Sequence, residues 1–199
     1  MSAASKMNPS VVEQEPPEAA RLQSSQHALS DCIKRAVRTD GTAEPLPGLS
    51  LHRSSAPGEP LHSVYDPVFC VIAQGSKEVF LGHERYLYDA AHYLIVTANL
   101  PIVAHVLEAS QERPYLSLRL KLDPMLVSSV MIEASHTALL QRTSVRAVNV
   151  SPLDVDLIDA VVRLVRLIDD PAEARFMAPL ITREIIYRLL NGEQCDRLH

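Results

Sequence analysis

Tryptophan is absent from this chain of 199 residues, and glycine occurs only six times. Neither Gly-x-Gly-x-x-Gly nor Gly-x-x-x-x-Gly-Lys occurs, so a glycine-rich phosphate cradle is excluded. The three cysteines, Cys32, Cys70 and Cys195, lie far apart. An odd, scattered set argues against a disulfide scaffold and against a zinc knuckle, and a reducing cytoplasm is the expected home. There is no excess of positive charge: 19 Lys and Arg stand against 24 Asp and Glu, a net of −5. That balance speaks against a basic nucleic-acid binder. No run reaches the roughly 18 to 20 apolar residues that a membrane helix needs, so no membrane partner is expected. Met1 to Glu15 lacks a basic region followed by an apolar one, so no secretory signal is expected.

Two kinds of catalytic signature are also missing. None of the eight histidines forms His-x-His, and no His-Glu-x-x-His occurs. Small metal-binding barrels place two such ligands on one face of a strand, with a carboxylate nearby. His105 with Glu108 comes nearest, but an offset of three puts the two on opposite faces. No metal and no cofactor are expected, and the histidines read as surface or satisfied core residues. No Gly-x-Ser-x-Gly elbow appears. Cys70, between Phe69 and Val71, reads as a small buried hydrophobe rather than a nucleophile.

What is present is an ordinary globular composition, 47% hydrophobic and 22% charged. Residues 1–17 are rich in Ser, Ala, Pro and Glu and read as a disordered leader. Residues 18–44 form an arm, with a helix over Glu18–Arg38 carrying Leu22, Leu29, Ile33 and Val37, closed by Asp40-Gly41. Residues 45–122 hold about eight short β-branched and aromatic runs separated by Pro and Gly, the mark of an antiparallel sandwich or barrel. The clearest is Tyr115–Leu122. Its Leu116, Leu118, Leu120 and Leu122 share one face; Tyr115, Ser117, Arg119 and Lys121 share the other. Gln74-Gly75-Ser76-Lys77 reads as a hairpin turn.

Residues 123–199 turn helical. Met125–Ala134 is one expected helix, and residues 135–149 are irregular with an extended piece near Val145–Val150. Ser151-Pro152-Leu153-Asp154 predicts a helix start, with the helix running to Asp169. Its wide apolar stripe includes Leu157, Val161, Leu164 and Ile168. The stripe is wider than a solvated surface helix needs. It reads as packing on the outside of the β domain, as a subunit contact across a twofold axis, or as both, so these four are the candidate dimerisation residues and a homodimer is expected. A last helix spans Arg175–Leu190. The candidate ligand-binding residues are the polar members of the β segment: Gln74, Tyr93, His105 and Arg119.

A longer pattern carries a family resemblance. It begins at Pro47-Gly48-Leu49 and Tyr65-Asp66-Pro67, and continues through Cys70-Val71-Ile72-Ala73-Gln74-Gly75 and Lys77. Tyr88-Asp89, Tyr93-Leu94, Leu100-Pro101, Glu108-Ala109-Ser110 and Pro114-Tyr115-Leu116 follow. Leu120, Leu122-Asp123-Pro124, Ser151-Pro152-Leu153-Asp154, Ala178-Pro179-Leu180-Ile181, Arg183-Glu184-Ile185 and Tyr187-Arg188-Leu189-Leu190 complete it. In order and spacing this resembles the N-terminal domain of AraC-type transcriptional regulators. The resemblance implies a cupin-like antiparallel β barrel, or jelly roll, followed by a helical dimerisation region. It implies a small-molecule effector in the barrel, and DNA contact only through a C-terminal helix-turn-helix domain missing from this chain. The chain is then the regulatory half alone, as an expressed piece or a naturally shortened product. Gln74-Gly75-x-Lys77 is carried over as a structural turn. The expected function is effector sensing and dimerisation in a cytoplasmic regulator, without enzyme activity. The rival expectation is a small cupin-type metal-dependent isomerase or dioxygenase. A third is a shortened partner that dimerises with full-length copies and silences them.

Overall fold

The computed structural model describes residues 17–134 and 147–195. The leader, His136, His199 and most of the irregular 135–149 stretch lie outside the described residues. Helix α1 (Glu18–Ala36) is followed by β1 (Gly41–Leu46), β2 (Leu49–Ser54), β3 (Leu61–Tyr65) and β4 (Val68–Gln74). Next come β5 (Ser76–Leu81), β6 (Glu84–Asp89), β7 (His92–Val96), β8 (Leu100–Glu108) and β9 (Tyr115–Lys121). Helix α2 (Pro124–Glu133), β10 (Val148–Pro152), α3 (Val155–Arg166), a 3-10 turn (Leu167–Asp169) and α4 (Pro171–Cys195) complete the order.

The strands form two antiparallel sheets. One has six strands in the order β1-β2-β9-β4-β7-β10, the other four in the order β3-β8-β5-β6. They face each other as a two-layer sandwich, with α1, α3 and α4 on the outer face of the larger sheet. The architecture agrees with the mainly-β, jelly-roll-like expectation, although the strand pairing describes two sheets and not a closed barrel.

Alternation explains why the larger sheet tolerates no polar face on its central strand. On β4, Val68, Cys70 and Ile72 enter the core between the sheets, while Phe69, Val71 and Ala73 enter the core under the helices. A strand buried on both sides must be apolar throughout, and β4 is buried at six consecutive positions. On β9 the four-leucine face packs under the helices rather than between the sheets. Each leucine so buried contributes roughly 1.5–3 kcal/mol. The polar face of β9 therefore looks inward, toward the smaller sheet.

Several boundaries differ from the sequence reading, each for a local reason. The arm contributes a tenth strand, β1, in spite of Pro45; β1 is an edge strand, where a missing N–H costs least. Helix α1 ends at Val37, which is already extended, so Asp40-Gly41 opens β1 instead of capping the helix. Ser151 and Pro152 belong to β10, paired with Tyr93 and His92. The cap of α3 is Asp154, whose carboxylate accepts from Leu157 N at 2.7 Å. Asp170 caps α4 in the same way, accepting from Ala172 N and Glu173 N, so this helix starts at Pro171 and not near Arg175.

Gln74-Gly75 is not a hairpin. Strands β4 and β5 lie in different sheets, and the chain turns a corner between them at Gly75. Gly75 has φ +90°, and a Cβ there would come within 2.4 Å of the Glu108 carbonyl oxygen. Gln74 pins the corner by donating its amide Nε2 to the Pro114 carbonyl at 2.6 Å.

Candidate functional site

The corner at Gly75 delivers Lys77 to the space between the sheets. Lys77 is 6% exposed. Its Nζ donates to the Tyr65 hydroxyl at 3.2 Å, from β5 to β3. Arg119 reaches the same hydroxyl from β9 in the opposite sheet, and its guanidinium stacks 4.4 Å from the Tyr65 ring centroid. The Tyr65 oxygen thus accepts from two cations.

These side chains border a cavity of about 310 Å³. Strand β2 supplies Ser50, His52 and Ser54 to it, β3 supplies Leu61, Ser63 and Tyr65, and β8 supplies Ala104 and Val106. The register pairs Ser50 with Arg119 and His52 with Ser117, so the polar faces of β2 and β9 adjoin. A neighbouring recess of about 320 Å³ shares Ser50, Tyr65 and Arg119. A third hollow, about 410 Å³ and mostly apolar, lies between Leu46, Leu120, Leu126 and Ala178, with Arg175 and Thr182 as its polar members.

The electrostatics of the cavity are one-sided. Burial pulls Lys77 down to about 8, and Arg119 adds to the fall. Burial pushes the Tyr65 hydroxyl up to about 12, so it keeps its proton. His52 is lowered by burial and then by Lys77 and Arg119, which favours its neutral form. Cys70, paired with Arg119 across β4 and β9, is raised by burial. Among the described residues, neither Lys77 nor Arg119 forms a salt bridge; Glu59 lines the cavity only from its exposed rim.

The four ligand candidates fall in four places. Arg119 lies in the cavity. Gln74 holds the corner. Tyr93 sits on the opposite face of its sheet, edge-on to Phe69 at 5.5 Å in the core under the helices. His105 lies on the outer face of the smaller sheet, with Nδ1 2.9 Å from Glu78, which also accepts from Arg85. Sequence reasoning missed Lys77, Tyr65 and His52. The signal was available: every second residue of β2 is polar, in register with the polar face of β9. The dimer candidates Leu157, Val161 and Leu164 are all but fully buried inside the chain, and Ile168 packs against the same core. The large apolar side chains left exposed are elsewhere, including Phe176, Leu180 and Tyr187 on α4 and Met125 and Ile132 on α2. No three His, Cys, Asp or Glu side chains among the described residues lie close enough to share a metal ion. No helix among them is long and apolar enough to cross a membrane.

The chain thus combines a two-sheet sandwich, a cavity with polar lining between the sheets, and a helical layer on the outer face of the larger sheet. Residues 45–197 match the family of the AraC-type transcriptional regulator N-terminus, and the chain belongs to that family. The family is one of transcriptional regulators, not of enzymes. Among solved structures, ToxT from Vibrio cholerae aligns with 59% of this chain and 46% of its own at 8% identity, TM-score 0.46. Wild-type ToxT from Vibrio cholerae strain SCE256, bound to an unsaturated fatty acid, aligns with 73% of this chain and 54% of its own at 10% identity, TM-score 0.47. The AraC-like transcriptional activator CuxR aligns with 76% of this chain and 53% of its own at 9% identity, TM-score 0.46. The chain spans about half the length of these regulators. No curated protein matches it.

Proposed function

We propose that this regulatory domain senses a small molecule in the cavity between its sheets and works as a homodimer in a cytoplasmic transcription regulator. The observation that carries the sensing is a polar, partly enclosed cavity within a core that is otherwise apolar. Its ligand contacts are Arg119, Lys77, Tyr65 and His52. The effector can bias the domain only through its differential affinity for two arrangements. Strand β9 supports such coupling, since Arg119 faces the cavity while Leu118 and Leu120 pack under the helices. DNA contact belongs to a helix-turn-helix domain joined to this one in a full-length regulator.

The dimer face lies on α4 and α2, which pack on each other through Arg183 and Glu133, 2.6 Å apart. Phe176, Leu180 and Tyr187 recur along α4 at helical spacing and are exposed. Leu157, Val161, Leu164 and Ile168 serve the core of the chain.

The test is a thermal-shift screen of the purified chain against a metabolite panel, repeated with Ser63→Trp. The tryptophan fills the cavity from β3. A compound that stabilises the native chain and not the folded variant supports the reading. Equal stabilisation of both proteins by every hit places binding elsewhere and overturns it.

A further inference from the structure

We propose that the effector is a small organic carboxylate whose charged group lies between Lys77 Nζ and the Arg119 guanidinium, beside the Tyr65 hydroxyl. The inference rests on the sensing role proposed above and names the chemistry of that same cavity. Three donors converge there. Lys77 and Arg119 both donate to the Tyr65 oxygen. The hydroxyl proton then points away from both cations and has its own acceptor to find. A planar carboxylate, with two oxygens, accepts from the remaining N–H groups of both cations, and by taking them over from the Tyr65 oxygen it frees the hydroxyl to turn its proton toward the anion.

Among the described residues the interior offers no carboxylate of its own to these cations. The titratable groups facing Lys77 are Arg119 on β9, Tyr65 on β3, Cys70 on β4 and His52 on β2. None of them is a carboxylate. Burying two cations 6 Å or less from one tyrosine ring without a counter-charge is unfavourable, and proteins pair buried charges. Lys77 already yields to this by falling to about 8. An anion bound beside it would reverse that fall. The apolar part of the lining, Ala104 and Val106 with the exposed Leu61 at the rim, suits a short aliphatic or aromatic tail; Ser50, Ser54, Ser63 and Thr42 are polar, and the Glu59 carboxylate stays at the exposed rim. A fully hydrated inorganic anion would leave those walls without a partner.

The experiment is calorimetric titration of the full chain with benzoate, hexanoate, the neutral isostere benzamide and inorganic phosphate. At least one carboxylate is expected to bind at about pH 7, and benzamide at least about tenfold more weakly. Lys77→Met is expected to stay folded, because its methionine suits the buried site, and to lose carboxylate binding at least about tenfold. Native affinity is expected to fall about tenfold between about pH 7 and about pH 9.5, as Lys77 gives up its proton. Binding of phosphate with no carboxylate, or of no carboxylate up to about 10 mM, overturns the proposal. So does benzamide binding as well as benzoate with Lys77→Met indifferent. A neutral metabolite that binds and is blocked by Ser63→Trp would sink the carboxylate while leaving the sensing role intact. Failure of Ser63→Trp to block any ligand would instead remove the sensing role itself.

Discussion

Replacing Lys77 by methionine keeps most of the buried stem and removes the amine. In the empty domain the amine is a burden. Its pKa falls from 10.5 to about 8, chiefly because burial penalises the charged form. At about 1.4 kcal/mol per pH unit, that displacement is worth about 3 kcal/mol. The folded value lies below the unfolded one, so the unfolded chain holds the proton more tightly. The penalty is therefore complete below about pH 8 and fades as pH climbs toward the unfolded value. Lys77→Met removes the penalty and also the hydrogen bond to Tyr65, a loss of about 1 kcal/mol. The variant should be more stable by about 2 kcal/mol at neutral pH. With a urea slope near 2 kcal/mol/M, its midpoint should rise by about 1 M. The gap between the two proteins should shrink by about 2 kcal/mol between about pH 7 and about pH 9.5. Urea unfolding followed by circular dichroism at both pH values measures it. A less stable variant at neutral pH, or a gap that ignores pH, would refute the reasoning, for Lys77 would then have a counter-charge.

Further perturbations separate the core from the proposed surfaces. Leu164→Glu buries a charge at a position that is 2% exposed; the cost is several kcal/mol, and far-UV circular dichroism should report an unfolded chain. Gly75→Ala forces a Cβ against the Glu108 carbonyl and holds alanine at φ +90°; a loss of about 2 kcal/mol or more is expected in urea, and an unchanged midpoint would show that the corner can relax. Asp154→Ala removes the α3 cap and should cost about 1 kcal/mol without changing the far-UV spectrum. Leu180→Glu adds charge at an exposed α4 site; sedimentation should give a folded monomer, whereas an unchanged dimer would move the interface off this stripe.

The order of elements was legible because periodicity changes twice along the chain, from helical to alternating after the arm, near residue 45, and back after Asp123. The number of strands was nearly right for the same reason. Sheet membership was not legible. The Gln74-Gly75 corner and a hairpin turn use the same residue types, and only the pairing of β5 with β8 and β6 distinguishes them. The start of α3 was misplaced because Ser151-Pro152 imitates a capped helix, while strand pairing with β7 claims both residues. In the site, Arg119 was legible from the β9 alternation, but its direction was not. A leucine face reads as the way into a core, and this sheet has a core on each side. That second core also accounts for Tyr93, whose face belongs to the helices, and for Leu157, Val161 and Leu164, whose wide stripe is used up within the chain.

The two-sided larger sheet has an evolutionary consequence. On β2 and β9, odd and even positions answer to different demands: one set faces the space between the sheets, the other packs under the helices. A change such as Ser50 or Ser54 to a larger residue can reshape the cavity while the leucines of the alternate set keep their packing under the helices. Selectivity and architecture are thus inherited on separate residues of the same strands. Such a domain can reshape its cavity by point substitution without first rebuilding its scaffold.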